Sequence, residues 1–207
     1  MIRIVGDAHG RLSEYKAIVR DVPHSVQVGD LAFNYDEILD LDPTAHKFVP
    51  GNHDNYDRLP PHSLGDFGQT ELGGITFFFV RGAFSIDKKY RIDGRDWWPN
   101  EELSRAQVDE CKTLYEQVRP QIVISHDCPT FISRQLFPSD ILRNFGYNPE
   151  TFQTRTGNFL EELHDIHQPS LHFFGHYHLN KTTFARGTRF ICIGELQYLD
   201  LDPNDLC

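Results

Sequence analysis

The sequence predicts an α/β fold with a largely parallel central sheet. Short apolar runs rich in β-branched residues alternate along the chain with segments whose apolar residues recur at helical spacing. Five of the apolar runs end abruptly in a cluster of Gly, His, Asp or Asn. Runs of four or five such residues bounded by glycine are typical of buried strands. The alternation and the polar clusters at strand ends together indicate the fold class.

The individual elements follow in chain order. The predicted strands that lead into polar clusters are residues 2–5, 25–28, 47–50, 121–125 and 171–174. Helical spacing predicts helices over 13–20, 101–119 and 157–166. The second helix should end before Pro120, because proline disfavours helical geometry in the preceding residue. A hairpin or second sheet is predicted by Gly73-Gly74 before the run 75–80, and by Arg186-Gly187 between 182–184 and 189–193.

Composition narrows the class of protein. The chain has 207 residues, with 20 Lys and Arg against 30 Asp and Glu, and a formal net charge of −10. This length predicts a single domain over residues 1–207, and the acidic charge argues against nonspecific nucleic-acid binding. No apolar run approaches the ~20 residues needed to span a bilayer, and the first residues turn polar too soon for a signal peptide. The four cysteines contain no CxxC pair, so we expect reduced thiols in a cytoplasmic protein.

The polar clusters contain the candidate metal ligands. In open α/β sheets ligands bind beyond the carboxyl ends of the strands, so the clusters are expected at one rim. Alone, a Gly-Asp pair or a histidine at a strand end is more often part of a turn than a ligand. His176 and His178 are stronger candidates, because alternate residues of an extended segment project to the same side. Asp7 and His9 have the same spacing. The full candidate set is Asp7, His9, Asp30, Asn52, His126, His176 and His178.

These oxygen and nitrogen donors exceed the needs of one tetrahedral site and suit two metal ions that share a carboxylate. Carboxylate and imidazole ligands without thiolate favour manganese, iron, zinc, cobalt or nickel over calcium, and we take manganese as the first choice. Two divalent ions outweigh the charge of Asp7 and Asp30, which leaves a site that attracts a phosphate anion. Paired ions about 3.5–4 Å apart clamp the attacking and leaving oxygens of an in-line displacement. The sequence therefore predicts hydrolysis of a phosphate ester.

The ordered set of clusters resembles the calcineurin-like metallophosphoesterase superfamily. The matching segments span residues 6 to 178 and are Gly6-Asp7-Ala8-His9-Gly10, Gly29-Asp30, Gly51-Asn52-His53-Asp54, Ser125-His126 and Gly175-His176-Tyr177-His178. The resemblance implies an α/β fold in which two mixed β-sheets pack as a sandwich flanked by helices.

The resemblance also implies a role for each donor. One ion would be bound by Asp7, His9, Asp30 and His178, and the other by Asp30, Asn52, His126 and His176. His53 matches a histidine that is not a ligand and that contacts phosphoryl oxygens or protonates the leaving group. The implied reaction is hydrolysis of a phosphomonoester or phosphodiester by a metal-bridging hydroxide, with Asp30 and His53 as the catalytic residues.

One motif departs from the protein Ser/Thr phosphatase branch of this superfamily. That branch continues the second motif with Asp-Arg-Gly, whereas Leu31-Ala32-Phe33-Asn34 follows Asp30 here. The acid that would orient His53 is therefore missing at Phe33, together with the phosphate-binding arginine beside it. The looser group of bacterial or phage-type phosphoesterases fits better.

Several alternatives remain open at this point. The reaction could be that of a nucleotide pyrophosphohydrolase or a protein Ser/Thr phosphatase, and the chain could also be a catalytically silent binding module on the same fold. The expected partner is a phosphorylated small molecule or nucleotide. Arg11, Arg91 and Trp97 are candidate substrate contacts, although the segment 81–98 could equally fill space beside the sheet with its cations in solvent.

Two expectations concern residues beside the motifs. Asp127 is expected to be a hydrogen-bond partner of a ligand histidine. The histidines outside the motifs are expected to be structural or at the surface, and they are His24, His46, His62, His164, His167 and His172.

Overall fold

The computed structural model describes residues 1–202 and contains two β-sheets with helices on their outer faces. The strands are β1 (Ile2–Val5), β2 (Ser25–Gln27), β3 (His46–Phe48), β4 (Phe67–Leu72), β5 (Ile75–Val80), β6 (Ile122–Ser125), β7 (Leu171–Phe174), β8 (Lys181–Ala185), β9 (Thr188–Cys192) and β10 (Tyr198–Leu201). The helices are α1 (Leu12–Val19), α2 (Arg105–Val118), α3 (Thr130–Ser133), α4 (Ser139–Asn144) and α5 (Arg155–Ile166).

Both sheets are mixed. The four-stranded sheet has the order β10-β1-β2-β3, in which only β10 runs antiparallel to its neighbour. The six-stranded sheet has the order β4-β5-β6-β7-β9-β8, in which β5, β6, β7 and β9 are parallel. Its two outer strands, β4 and β8, pair antiparallel with β5 and β9. The predicted fold class is thereby confirmed.

Alternation along the strands builds the layers. On β5, Ile75, Phe77 and Phe79 face the other sheet and pack against residues such as Ile4 and Val26. Phe78 and Val80 face the opposite way and pack on α2 and α5. In the smaller sheet Val5 and Phe48 pack on the α1 side. The order of layers is therefore helix, sheet, sheet, helix.

Helix starts differ from the sequence-based prediction. Helix α2 begins at Arg105 rather than at 101, because Ser104 forms a capping box with Gln107. Glu101 lies before the helix and is buried. Helix α5 begins two residues earlier than predicted, since the Thr154 side chain caps it by accepting a hydrogen bond from the N–H of Gly157. Helices α3 and α4 and strand β10 were not predicted.

The described cysteines are free thiols. Cys111, Cys128 and Cys192 are buried and form no disulfide, while Cys207 lies outside the described residues. Within residues 1–202, none of the helices combines the length and the apolar character needed to cross a membrane.

Candidate metal centre

The first group of donors lies at the rim where strands of both sheets end, and its members are buried except His176, which is half-buried. We call Asp30, Asn52, His126 and His176 the buried half. His126 Nε2 lies 3.2 Å from Asp30 Oδ1 and 3.1 Å from Asn52 Oδ1. The His176 ring packs edge-on against the His126 ring, with 5.0 Å between the ring centroids. Four loops that follow β2, β3, β6 and β7 thus meet at one point.

The second group of donors lies beside the first, and its two histidines are more open to solvent, whereas its carboxylate is buried. We call Asp7, His9 and His178 the exposed half. His178 Nε2 lies 3.3 Å from Asp7 Oδ2 and 2.9 Å from His9 Nε2. Asp30 also faces this group, because its Oδ2 is 4.0 Å from His9 Nε2. All seven predicted donors are therefore brought into one cluster.

Backbone conformation at the cluster is unusual. His9, Asp30, His176 and His178 have φ values of +48°, +58°, +66° and +54°, in the left-handed region that residues with a Cβ rarely adopt. Such conformations cost about 1–3 kcal/mol each and persist where surrounding contacts fix them, most often at functional sites. The N–H groups of Ala8 and His9 both donate to the Asp30 carbonyl, at 3.1 and 2.8 Å, which ties the first loop to the second.

Asp54 ties the second loop to the third. Its buried carboxyl group accepts hydrogen bonds of 2.7–3.3 Å from the N–H groups of Asp30, Leu31, Ala32 and Gly51 and from the Tyr35 hydroxyl. Burial and the charge of Asp30 raise the pKa of Asp54 to about 7. Asp54 therefore holds the loop that carries Asp30 in place.

The donor set fits a metal ion by three observations. Two ligands about 2.1 Å from an ion and at a right angle are about 3 Å apart, which matches the separations in both halves. His126 Nδ1 lies 2.9 Å from the Val28 carbonyl, which can only accept, so Nδ1 carries a proton and Nε2 is the nitrogen that faces the cluster. A Cβ at Gly51 would lie 2.3 Å from Asp30 Oδ1, so a larger residue would displace the donor.

Burial and mutual attraction set the protonation of the donors. Burial disfavours the charged form of Asp30, but the nearby His126 and His53 outweigh it and hold the Asp30 pKa well below its usual range. Burial also opposes protonation of His126, yet the charge of Asp30 raises the His126 pKa to about 10. For His176, burial and the neighbouring His126 lower the pKa to about 3. The cluster therefore pairs an ionised Asp30 with a protonated His126, whose Nε2 proton a metal ion would replace, and His176 beside them is neutral.

His53 lies at the edge of the cluster, within reach of His9 and Asp30. Arg91 Nη2 donates to His53 Nε2 at 3.0 Å, so that nitrogen is an acceptor and the neutral ring carries its proton on Nδ1. Two hydrogen bonds of 2.7 and 2.6 Å from Arg91 to Asp87 fix the guanidinium. Phe33, in the place of the missing acid, stacks on the His53 ring with the centroids 6.1 Å apart.

A cleft of about 240 Å³ opens above the donors. Its walls beyond the donors are His53, Ile86, Asp87, Arg91, Phe137 and Phe145. The cleft is therefore lined by one guanidinium and three apolar side chains, beside the donor cluster.

Two of the three candidate substrate contacts do not line this cleft. Arg11 Nη2 donates to Glu195 Oε2 at 2.6 Å, and its side chain does not line the cleft. Trp97 is partly buried in the turn that its carbonyl closes by accepting from the Gly94 N–H, outside the cleft. Only Arg91 faces the cleft as expected.

The expectation for Asp127 was also wrong. Its carboxylate accepts from the Tyr177 hydroxyl at 2.6 Å, the Cys128 N–H at 2.7 Å and the Thr154 hydroxyl at 3.3 Å. None of these partners is a ligand histidine, because Val28 supplies the partner of His126 instead. Asp127 thus supports the loop between the two motif histidines through Tyr177.

Sequence reasoning missed three polar residues that contact the donors or their partners. Glu195 Oε1 lies 3.2 Å from His178 Nδ1, while Ser85 accepts from Asn52 Nδ2 at 3.1 Å and donates to Glu101 at 2.6 Å. A signal for Glu195 was present, because the run 191–193 enters Gly194-Glu195 in the same way that other strands enter their motifs. Ser85 and Glu101 carry no comparable signal.

Solved structures share this architecture. A phosphopantetheinyl hydrolase from Mycobacterium tuberculosis is 17% identical, with a TM-score of 0.56 over 98% of this chain and 97% of that chain. A protein described as a candidate 5′-nucleotidase from Staphylococcus aureus is 13% identical, with a TM-score of 0.51 over 98% of this chain and 51% of that chain. At these identities the comparison shows the fold alone. No curated protein matches this chain.

The family comparison covers the motifs as well as the fold. The family model described as calcineurin-like phosphoesterase matches residues 1–180, a stretch that contains all seven donors and His53. The match extends over most of the chain, and its donors meet at one rim of the sandwich. The chain therefore belongs to the calcineurin-like phosphoesterase family.

Proposed function

We propose that the chain is a dinuclear metal-dependent phosphoesterase that hydrolyses phosphomonoesters or phosphodiesters. The observation that supports this best is the position of Asp30 between the two halves. Its Oδ1 is 3.2 Å from His126 Nε2, and its Oδ2 is 4.0 Å from His9 Nε2. A carboxylate whose two oxygens face different sets of donors is suited to bridge two ions.

The exposed half with Asp30 would bind one ion, and the buried half would bind the other. The donors are oxygen and imidazole nitrogen, which suit manganese first and also iron, zinc, nickel or cobalt. When bound, two divalent ions supply a polarised phosphoryl group and a water molecule whose pKa is lowered toward neutrality. The net positive charge that remains beside Asp7 and Asp30 favours a phosphate anion.

Arg91 would bind the substrate from the cleft side. Its guanidinium is held by Asp87 and faces the donors, and it supplies the cation that the second motif lacks after Asp30. Guanidinium groups bind phosphoryl oxygens through charge-assisted hydrogen bonds. His53, which accepts from Arg91 at Nε2, would then orient Arg91 and the phosphoryl group rather than donate a proton from that nitrogen. This modifies the role expected for His53 from the family resemblance.

The cleft supports a small phosphorylated substrate. Ile86, Phe137 and Phe145 offer an apolar surface beside Arg91, which suits an ester whose alcohol part is flat or apolar. Two of the structural neighbours are described as a phosphopantetheinyl hydrolase and a candidate 5′-nucleotidase. We propose a small phosphorylated ester as the substrate, in a protein of the cytoplasm.

Metal removal and return test the proposal. Protein stripped with a chelator should lose hydrolysis of p-nitrophenyl phosphate or its bis ester and regain it with manganese more than with magnesium, because imidazole ligands favour manganese. Full activity in the stripped protein would contradict the proposal. Two bound ions without turnover of any ester would instead favour the binding-module alternative.

A further inference from the structure

A buried carboxyl group lies behind the metal-facing side of Asn52. Glu101 is 3% exposed, and it lies between the segment 81–98 and helix α2. Its Oε1 accepts from the Ser85 N–H at 3.1 Å, and its Oε2 accepts from the Ser85 hydroxyl at 2.6 Å. Burial of a carboxyl group is costly unless its oxygens accept hydrogen bonds, and here both oxygens accept from Ser85. The proposed hydrolysis gives Glu101 no direct part.

The hydrogen bonds continue from Ser85 to Asn52. The Ser85 hydroxyl donates its only hydrogen to Glu101, so it must act as acceptor for Asn52 Nδ2, at 3.1 Å. The amide NH₂ of Asn52 is thereby turned away from the donors. Its Oδ1 is left facing His126 Nε2 at 3.1 Å. Since only the oxygen of a neutral amide binds a metal ion, this orientation decides whether Asn52 is a ligand at all.

We propose that Glu101 is a positioning residue that acts through Ser85 to keep the Asn52 carbonyl oxygen directed into the buried half. The inference rests on the proposed function, in which Asn52 is a ligand. Burial raises the pKa of Glu101 to about 7, while the two hydrogen bonds from Ser85 favour the ionised form. The carboxylate can only accept, so the Ser85 hydroxyl donates toward it and accepts from Asn52. A glutamine at 101 could donate to Ser85 instead. The hydroxyl could then donate to Asn52, which would turn the Asn52 oxygen out of the cluster.

The backbone of Glu101 is held in place by contacts with neighbouring segments. Its carbonyl oxygen accepts from the Tyr56 hydroxyl at 3.3 Å, and its N–H donates to the Trp98 carbonyl at 3.0 Å. Gly82 packs so closely that a Cβ there would lie 2.1 Å from the Glu101 carbonyl oxygen. The backbone of Glu101 is therefore held on three sides, which keeps its carboxylate beside Ser85.

Calorimetric titration of the full-length chain with Mn²⁺ tests the inference. For Glu101→Gln and Ser85→Ala, one of two binding events should weaken by roughly 10–100-fold, the usual effect of removing a partner of a ligand. The other event should remain within about twofold of wild type. Ser85→Thr, which keeps the hydroxyl, should restore the weakened event. This rescue and the selectivity for one event separate positioning from general loss of structure.

Glu102 provides the matched control. It is the neighbouring residue, and its Oε1 accepts from the N–H and the hydroxyl of Thr156 at 2.9 and 3.0 Å, away from the donors. Glu102→Gln should therefore bind Mn²⁺ as wild type does. Unchanged binding in Glu101→Gln, or an equal loss in both events, would overturn the inference while leaving the proposed function intact.

Failure of the proposed function would look different. A wild-type chain that binds fewer than two Mn²⁺ ions would contradict the dinuclear centre, and the inference about Glu101 would fall with it. If Glu101→Gln does not fold, the comparison of Ser85→Ala with Ser85→Thr decides, because equal Mn²⁺ binding by those two variants would also overturn the inference.

Discussion

The two halves of the donor cluster contain the same kinds of side chain but are held in different ways. In the buried half, Asp30, Asn52 and His126 are 1%, 2% and 0% exposed. In the exposed half, Asp7 is also buried, but the side chains of His9 and His178 are 23% and 46% exposed. The buried half is fixed by a backbone carbonyl, a buried carboxyl group and a buried serine. In the exposed half, the buried Asp7 accepts from the His176 N–H, while the two histidines depend more on a carboxylate at the surface.

That surface carboxylate is Glu195, which contacts His178 Nδ1 and is itself paired with Arg11. Ion pairs between exposed side chains contribute only about 0–1 kcal/mol, because water screens the charges and the side chains lose freedom. The fold therefore prepares the buried donors before any ion arrives, whereas the exposed donors keep more freedom. We expect the buried half to bind the first ion and the exposed half the second.

Asp30→Asn should have the largest effect, because it removes the residue that both halves share. Both Mn²⁺ affinities should fall, and turnover of every ester should fall by more than roughly 100-fold. That value is the largest loss usually seen when a residue that only hydrogen-bonds to a metal ligand is removed. Calorimetry and a steady-state assay measure the two effects. Asp109→Asn, an exposed change on α2, is the control. If one affinity survives unchanged, Asp30 belongs to one half only.

His53→Ala should have the next largest effect and should leave both metal ions bound. General acid catalysis is worth roughly 10²–10⁴-fold and matters most for poor leaving groups. Since Arg91 already donates to His53 Nε2, we expect alkyl phosphate and p-nitrophenyl phosphate to slow by similar factors. A much larger loss for the alkyl ester would restore the general-acid role. Loss of metal ions would show that His53 is a ligand, as its approach to His9 and Asp30 allows.

Glu195→Gln should have a smaller effect, confined to the exposed half. The neutral amide holds His178 Nδ1 less strongly than a carboxylate does, so the second Mn²⁺ affinity should fall by about tenfold. The first affinity should not change. Arg11→Ala, which only frees Glu195, should do less still. An equal loss of both affinities in Glu195→Gln would mean that the halves are not held independently.

Acid should affect stability through histidines beneath the site. Burial lowers the pKa of His172 to about 3 and that of His164 to about 4, against 6.5 in the unfolded chain. Their contribution is therefore complete above pH 6.5 and is lost as the pH falls toward 4, because the unfolded chain binds the protons. Each pKa unit corresponds to about 1.4 kcal/mol.

Urea unfolding at pH 7.5 and pH 5 measures this effect, with His172→Gln as the comparison. The variant should lose less stability than wild type between the two pH values, while Mn²⁺ binding at pH 7.5 should change little. An equal loss in both proteins would show that His172 is not the group responsible.

The donor cluster could be predicted from sequence because its motifs come just after buried strands, and all of them except Ser125-His126 contain glycine. Chain order then brings Asp7, Asp30 and Asn52 to one rim without knowledge of any long-range contact. The division of the strands into two sheets could not be predicted from periodicity, since a run of four apolar residues does not reveal which sheet it joins. The start of α2 was misplaced because the Ser104 capping box outweighs the apolar spacing that precedes it.

Contacts between distant segments could not be predicted. Arg11 forms an ion pair with Glu195, which is 184 residues away in the sequence. Its position directly after the first motif therefore did not predict its contact. The hydrogen bonds from Asn52 through Ser85 to Glu101 join three separate segments. No sequence pattern in any of these segments predicts its contact with the other two. Sequence patterns thus identify the donor groups, while the residues that orient them depend on tertiary packing.

Electron paramagnetic resonance of the Mn²⁺-loaded protein tests most directly whether two ions share Asp30. At one equivalent, we predict the six-line spectrum of an isolated ion in the buried half. At two equivalents, that spectrum should give way to one of exchange-coupled ions, since ions in such centres lie about 3.5–4 Å apart. A spectrum at two equivalents that remains the sum of isolated ions would contradict the account.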